Sequence, residues 1–591
     1  MVRKILNSKL FLVLVLVFIF VWLFNKSNRY YYFISKKQVE YYPILSDGSG
    51  YYGYLPQWFI YKTDNFEFLD TIQKKYPNAR FADNFTYDKS TKIRYNKYFI
   101  GTAILQAPVF IVTHLVATLT HQPADGYSNI YQLSVTINAF IFTFLGLFMV
   151  FKTLGFFQLS RFTKLLTILV LITGTNLSYF TVFNPAFSHV YSFAIISMFV
   201  YFLFKWRSKD NSIRYLPIFA VLLGLIFLIR PTDILIGLLL PFFFVSIEQF
   251  RSFIKSVLSR KGLAFLSISV VLFLFLIGLQ VLSTYQQRGI FALNNYTGES
   301  FDNWLKPEII NVLFSVRKGL FVYAPILLIA VIGFIPLWKK ERFLSIGILL
   351  FLIVFTYITA SWWCWWYGGG LGMRPYINIL ILFALPFGIL FQTVQKYIKL
   401  LLLFISLACI FLYQTFQTQM IQNILHYDDM NSTQFKKVFL QTGHRFDWSL
   451  HREFDSLPTQ KADFIKTESI ENKSLKIYHD YQLDKCIKIV VDVDTNYKQW
   501  AGTITGYVKI TNEDQNPNFD VKYFKDDQLI KQEGFFFGGE LPSVNKFHPL
   551  TMNFNPKDIE PSSYNKVEIV LYPGAEILYF NHAEFQSFYY K

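Results

Sequence analysis

The stretch Asp47-Gly48-Ser49-Gly50-Tyr51-Tyr52-Gly53-Tyr54-Leu55-Pro56 follows one hydrophobic run, about Leu10 to Phe24, and precedes many more. Arg3, Lys4 and Lys9 lead that first run. Basic flanks stay in the cytoplasm, so Asp47 is expected just outside the membrane. No small-residue cleavage site follows, and the run reads as an uncleaved anchor rather than a signal peptide. An acid just outside the first span of a many-span chain suits a membrane enzyme that deprotonates an acceptor at the bilayer surface.

Composition agrees with that reading. Over 591 residues, 53% are hydrophobic and 19% aromatic while only 16% are charged, which excludes an ordinary soluble chain and predicts a polytopic membrane protein. The net charge of +17 does not point to nucleic acid. Much of the basic excess lies in short clusters between apolar runs, at Lys205 to Arg214, Arg251 to Lys261 and Lys339 to Arg342, where it sets topology. Cys364, Cys409 and Cys486 are too few and too scattered for a disulfide framework or a metal-site spacing.

Apolar runs at 130–151, 163–182, 190–204, 215–229, 234–248, 262–284, 319–338, 343–360, 376–392 and 397–416 join the first to predict about eleven spans, several shorter than the ~20 residues of a perpendicular helix. Residues 99–120 are also apolar. Counting them as a span would place Lys152, Arg161 and Lys164 outside; as a segment in the outer interface, with Gln106, Pro108 and His114 within it, they leave all three inside. Hydropathy alone equally permits twelve spans. Four pieces then face outward and can converge: the first outer loop 25–129, the turn Asn184 to His189, the loop 285–318, and the Trp-rich turn Trp362 to Arg374.

The chain divides into a membrane part, 1–419, and a remainder, 420–591, of different character. In the latter, Ile487, Ile489, Val491 and Val493 alternate with Lys488, Val490 and Asp492, and Val567, Ile569 and Leu571 repeat the period of two. Turn clusters at Asn512 to Pro517 and Phe537 to Glu540 favour an antiparallel β-sandwich, expected outside the cytoplasm with the C-terminus. No internal repeat or nucleotide-binding signature is present; Gly368 to Gly372 lacks the strand-to-helix context and the lysine of a phosphate loop.

The Asp47 run, Asn96-Lys97-Tyr98, Asp125-Gly126-Tyr127-Ser128, Ser188-His189-Val190-Tyr191-Ser192-Phe193, Arg230-Pro231 and Gly372-Met373-Arg374, in this order over residues 1–410, resemble the GT-C superfamily of polyprenyl-phosphate-sugar-dependent glycosyltransferases. The likeness is strongest to bacterial members related to protein O-mannosyl and aminoarabinose transferases. It implies a multi-pass enzyme of the bacterial inner membrane that moves a monosaccharide from a polyprenyl-phosphate carrier to a glycan, lipid or protein acceptor on the outer face. It also implies that Asp47, in the first outer loop, is the catalytic aspartate and that interfacial helices follow it. The family's second acid in the next outer turn is absent here, since Asn184 to His189 has none. A requirement for a divalent cation loses support accordingly.

Transfer from such a donor needs a base for the incoming hydroxyl and cations for the departing phosphate. Asp47 is the candidate base, set against an Asp-Gly turn whose carboxylate binds its own backbone. His189 and Asp125 are further catalytic candidates, set against a structural hydrogen-bonder and a simple turn. Lys97, Arg230 and Arg374 are the candidate phosphate ligands, each with a plainer alternative: solvation, snorkelling or pairing with Asp233, and a glycine-rich loop position. Tyr51, Tyr52 and Trp366 are candidate sugar or acceptor contacts, although tyrosines and the cluster Trp362, Trp363, Trp365, Trp366 and Tyr367 fit an interfacial aromatic belt better. Trp500, Tyr507 and Tyr523 are candidates for holding an acceptor on the sandwich. The rival functions are a lipid-linked sugar transporter or flippase, and a polymerase or ligase of lipid-linked glycans.

Overall fold

A computed structural model describes residues 8–36, 42–77, 79–89, 91–446, 464–470, 487–494, 496–497, 499–512, 515–538, 541, 543–556, 563–572 and 578–590. Arg3, Lys4, Cys486 and parts of both turn clusters (Glu513, Asp514, Gly539, Glu540) lie outside the described residues. The chain separates into two compact units, Met1–Gln414 and Thr415–Lys591.

The first unit is helical. Seven described helices are long and apolar enough to cross a membrane: Leu10–Tyr30, Gly101–Leu119, Asn129–Phe157, His189–Arg207, Arg260–Arg288, Arg342–Ser361 and Lys396–Ile421, the last running on past the unit boundary. This corrects the expected count of about eleven, and the reason is local. The run at 319–338 is cut at Pro325 and Gly333 into Leu320–Tyr323, Ile326–Ile332 and Phe334–Lys340. Gly333 packs onto the backbone of Pro386, where a Cβ has no room, so the break lets two helices touch. The run at 163–182 is likewise split into Arg161–Gly174 and Leu177–Val182. Those at 215–229 and 376–392 give the short helices Leu216–Ile229 and Leu380–Thr393. Pro231–Phe243, wound as a 3-10 helix, and Ile247–Val257 are bent by 112° and make an eighth span only if read together. Residues 101–119 form one unbroken helix despite Pro108.

The Asp47 run is not a turn but the helix Asp47–Pro56. Three glycines weaken it by about 1 kcal/mol each relative to alanine, so packing must supply what propensity lacks. Gly50 and Gly53 lie on one face and admit the rings of Tyr98 and Phe85, the second from the hairpin of β1 (Phe85–Asp88) and β2 (Ile93–Asn96). A side chain at Gly50 would overlap the Tyr98 ring. Gly48 meets Ala186, where a Cβ would come within 2.6 Å of the alanine Cβ. The missing side chains thus bring the segments of Tyr98 and Ala186 against the start of this helix.

The second unit is a β-sandwich of two antiparallel four-stranded sheets. One has the order β3 (Phe464–Ile470), β10 (Tyr579–Tyr590), β5 (Gln499–Lys509), β8 (His548–Phe554); the other β4 (Ile487–Asp492), β9 (Lys566–Tyr572), β6 (Asn518–Lys525), β7 (Gln528–Phe536). The inward residues of both form one core, with Trp500, Ile504, Met552 and Phe585 facing Phe519, Val521, Val567 and Ile569. Trp500 and Tyr523 are fully buried in that core, which removes both as acceptor contacts; Tyr507 is half exposed. Trp500→Ala is expected to destabilise the sandwich by about 3–5 kcal/mol, read as faster protease cleavage within residues 415–591 of the intact protein.

Candidate active site

Asp47 opens its helix, where a carboxylate complements the positive end of the dipole. Its side chain does not bind its own backbone, as a turn aspartate would. Oδ1 accepts from the Tyr98 hydroxyl at 2.8 Å and Oδ2 from Arg374 Nη2 at 2.6 Å, with the ion pair mostly shielded from solvent. Burial alone would raise the Asp47 carboxyl, but the Arg374 guanidinium, the Tyr98 hydroxyl and the Lys97 ammonium outweigh it and hold the group below its ordinary value. It is therefore ionised at neutral pH.

The surrounding residues come from all four of the pieces expected to converge and, with Arg230, from the end of Leu216–Ile229. Asn96 donates to the Gly50 carbonyl at 2.6 Å, and Tyr54 donates to the Tyr98 carbonyl at 2.5 Å, fixing Tyr98 against the Asp47 helix. Lys97 pairs with Glu299 and lies over the rings of Tyr98 and Tyr296. Phe187 lies under the Arg374 guanidinium at 5.3 Å from its ring centroid. Arg230 makes one long hydrogen bond, 3.4 Å to Ser188 Oγ, and its Nε, like that of Arg374, is buried without a partner. Gly370 and Gly372 have φ of +122° and +58°, which glycine adopts without strain. Lys318 donates to the Gly370 carbonyl and holds the loop that delivers Arg374.

Beneath this array His189 Nδ1 lies 2.9 Å from Asn378 Oδ1, Asn378 Nδ2 donates to Asp233 Oδ2 at 2.8 Å, and Ser192 donates to the same oxygen at 2.7 Å. His189, Asn378, Asp233 and Ser192 are all buried. Arg230 and Arg374 both act electrostatically on His189.

Other expected residues stand elsewhere. Asp125 belongs to a separate cluster: it pairs with Lys75 at 2.6 Å, accepts from Tyr76 at 2.7 Å, and accepts the Tyr127 and Ser128 N–H groups at 2.9 Å. Burial raises its carboxyl, yet these donors outweigh that and hold it down. With every lone pair engaged, it serves the turn, and Asp125→Ala is expected to cost about 2–4 kcal/mol of stability while leaving the chemistry per folded molecule intact, measured as thermal midpoint against specific activity. Tyr52 is buried in the core that packs around the Asp47 helix, its hydroxyl donating to the Gly126 carbonyl at 2.5 Å, so it offers no sugar contact. Tyr51 is buried with its ring on Tyr98 at 4.7 Å. The Trp366 ring is covered by Arg317, whose guanidinium stands 3.6 Å from its centroid, so that face is not open to a pyranose.

Tyr98, Glu299, Asp233 and Asn378 were not among the expected site residues. Tyr98 stood in a quoted motif and Asp233 in a possible pair with Arg230; nothing local marked Glu299 or Asn378. Among the described residues no three His, Cys, Asp or Glu side chains converge as a cation site, and each Asp47 oxygen carries one donor, Tyr98 or Arg374.

The long apolar helices of the first unit are compatible with a multi-pass membrane protein, here with a charged cluster between helix ends and a β-sandwich appended. Comparisons with protein-family models, curated proteins and solved structures find no match to this chain.

Proposed function

We propose that this protein is a GT-C-like membrane glycosyltransferase that takes a monosaccharide from a polyprenyl-phosphate carrier and passes it to a glycan, lipid or protein acceptor at the outer face of the bacterial inner membrane. The observation that carries this reading is the meeting of one ionised carboxylate, Asp47, with Arg374, Lys97 and the sparsely bonded Arg230. An anionic donor has guanidinium N–H groups to bind, and an acceptor hydroxyl has a carboxylate to receive its proton. In one displacement, the acceptor oxygen bonds to the anomeric carbon as its proton passes to Asp47. The bond from that carbon to phosphate oxygen breaks with inversion, and Arg230, Arg374 and Lys97 stabilise the charge that collects on the phosphate. Arg374 changes partner from Asp47 to the phosphate as donor binds, which frees the base when it is needed.

The outer placement of this cluster is supported by the segment 101–119. At 1.5 Å per residue this helix is about 28 Å long. Tyr54 binds the Tyr98 carbonyl ahead of it, and Tyr52, within the same turn, binds the Gly126 carbonyl beyond it. Tethering both ends to one turn of the Asp47 helix favours a helix lying along the interface over one crossing a core of about 30 Å. A cysteine placed at Lys152 is then expected to react only from the cytoplasmic side; labelling by an impermeant reagent from outside would overturn this topology.

A transport reading has one observation in its favour, the bent pair at 231–257 beginning beside Arg230 and Asp233, since discontinuous helices with charged ends also line substrate paths. Purified protein incubated with polyprenyl-phosphate sugars and candidate acceptors separates the two. New glycosidic products seen by mass spectrometry support transfer, whereas lipid-linked sugar that binds and crosses vesicles unchanged supports transport.

A further inference from the structure

The orientation of Asn378 decides the chemistry of His189. Asp233 Oδ2 accepts from both Ser192 Oγ and Asn378 Nδ2. With its NH₂ committed to that oxygen, Asn378 turns its carbonyl Oδ1 to His189 Nδ1. A carbonyl can only accept, so the proton of a neutral imidazole sits on Nδ1 and Nε2 carries a lone pair. This holds whether or not Asp233 is ionised, because a proton on its other oxygen leaves Oδ2 an acceptor. His189 Nε2 is buried and has no partner, a desolvation cost that a bound donor group would recover.

We propose that Asp233 and Asn378 are positioning residues that hold His189 with its proton on Nδ1, so that the unpartnered Nε2 binds a hydrogen-bond donor: a hydroxyl of the transferred sugar. A phosphate oxygen without a proton would be repelled at Nε2 and drawn to the guanidiniums, so the two kinds of group sort the donor's sugar from its phosphate. The hydroxyl assignment rests on the glycosyltransferase reading; the tautomer does not.

Nitrogen-15 NMR of histidine-labelled protein in nanodiscs, with the His189 signal identified by its loss in His189→Phe, tests the tautomer. The expected result is protonated Nδ1 and bare Nε2; a proton on Nε2 overturns the proposal. Asp233→Val, which removes the acceptor that orients Asn378, is expected to give a mixture of tautomers, and an unchanged spectrum overturns the role of Asp233. Should that variant not fold, Asn378→Asp, which shares one proton with Asp233 and turns its other oxygen to His189 as an acceptor, is expected to retain the Nδ1 proton, and transfer of the proton to Nε2 overturns the role of position 378. Binding of a synthetic polyprenyl phosphate, bare and carrying a hexose, tests the ligand. His189→Phe is expected to weaken the glycosylated lipid about tenfold and the bare lipid less than about twofold. Equal loss of both overturns the hydroxyl assignment. Failure of the unmodified protein to bind either lipid overturns that assignment together with the glycosyltransferase reading, while the tautomer result stands.

Discussion

Asp47→Asn is expected to lower glycosyl transfer by about 10²–10⁴ without loss of expression or of donor binding. The amide keeps the size of the side chain, its one carbonyl oxygen can still accept from Arg374, and its NH₂ can donate to the Tyr98 hydroxyl in place of the bond that hydroxyl gives to Asp47. What it loses is basicity, so the deficit belongs in the single-turnover rate and not in the affinity for the lipid. Near-normal transfer would end the assignment of Asp47 as base and leave His189 as the candidate. The pH dependence follows from the direction of the shift. A carboxyl held below its ordinary value gives a pairing contribution that is fully present above the unfolded carboxyl's pKa and lost only as pH falls through the lower folded value. The Asp47–Arg374 pair is therefore expected to persist at and above about pH 5. A loss of donor binding with a midpoint near neutrality would have to come from another group.

Arg374→Ala has the second large effect and a different signature. The guanidinium is bonded to Asp47 before donor arrives and is assigned to the phosphate afterwards, so its removal weakens both donor binding and turnover, with transfer efficiency reduced by about 10²–10³. It also leaves Asp47 as a partly buried anion without its cation, facing an anionic ligand. Changing Asp47 to Asn in the same molecule removes that repulsion. The double variant is accordingly expected to bind donor more tightly than Arg374→Ala alone, although it transfers no faster than Asp47→Asn. This non-additivity is the mark of a shared partner. If the double variant binds more weakly than either single one, Arg374 does not exchange between the carboxylate and the phosphate.

The features legible in the chain were those written in residue type and local period. Apolar runs with basic flanks announced a polytopic chain, and alternation at Ile487 to Val493 and Val567 to Leu571 announced strands, because burial on one face of a sheet imposes a period of two. Asp47, Arg230 and Arg374 drew notice because charge is rare next to apolar segments and costly unless it is used. The helix over Asp47–Pro56 was not legible, since Gly48, Gly50 and Gly53 argue against helix until the Ala186, Tyr98 and Phe85 side chains they admit are in place.

Partnership was the larger gap. Arg374 lies 327 residues from Asp47, and Lys97 lies 202 from Glu299; no local pattern couples positions so far apart. Asn378 carries no local signal, yet its amide stands between His189 and Asp233. The apolar runs, too, told how much chain was hydrophobic but not where it breaks, because Gly333 interrupts its helix to meet the Pro386 backbone. Composition and periodicity are properties of neighbours along the chain and survive in the sequence. Ion pairs, tautomers and helix breaks depend on which distant surfaces pack together, and these exist only after the helices have closed around the site.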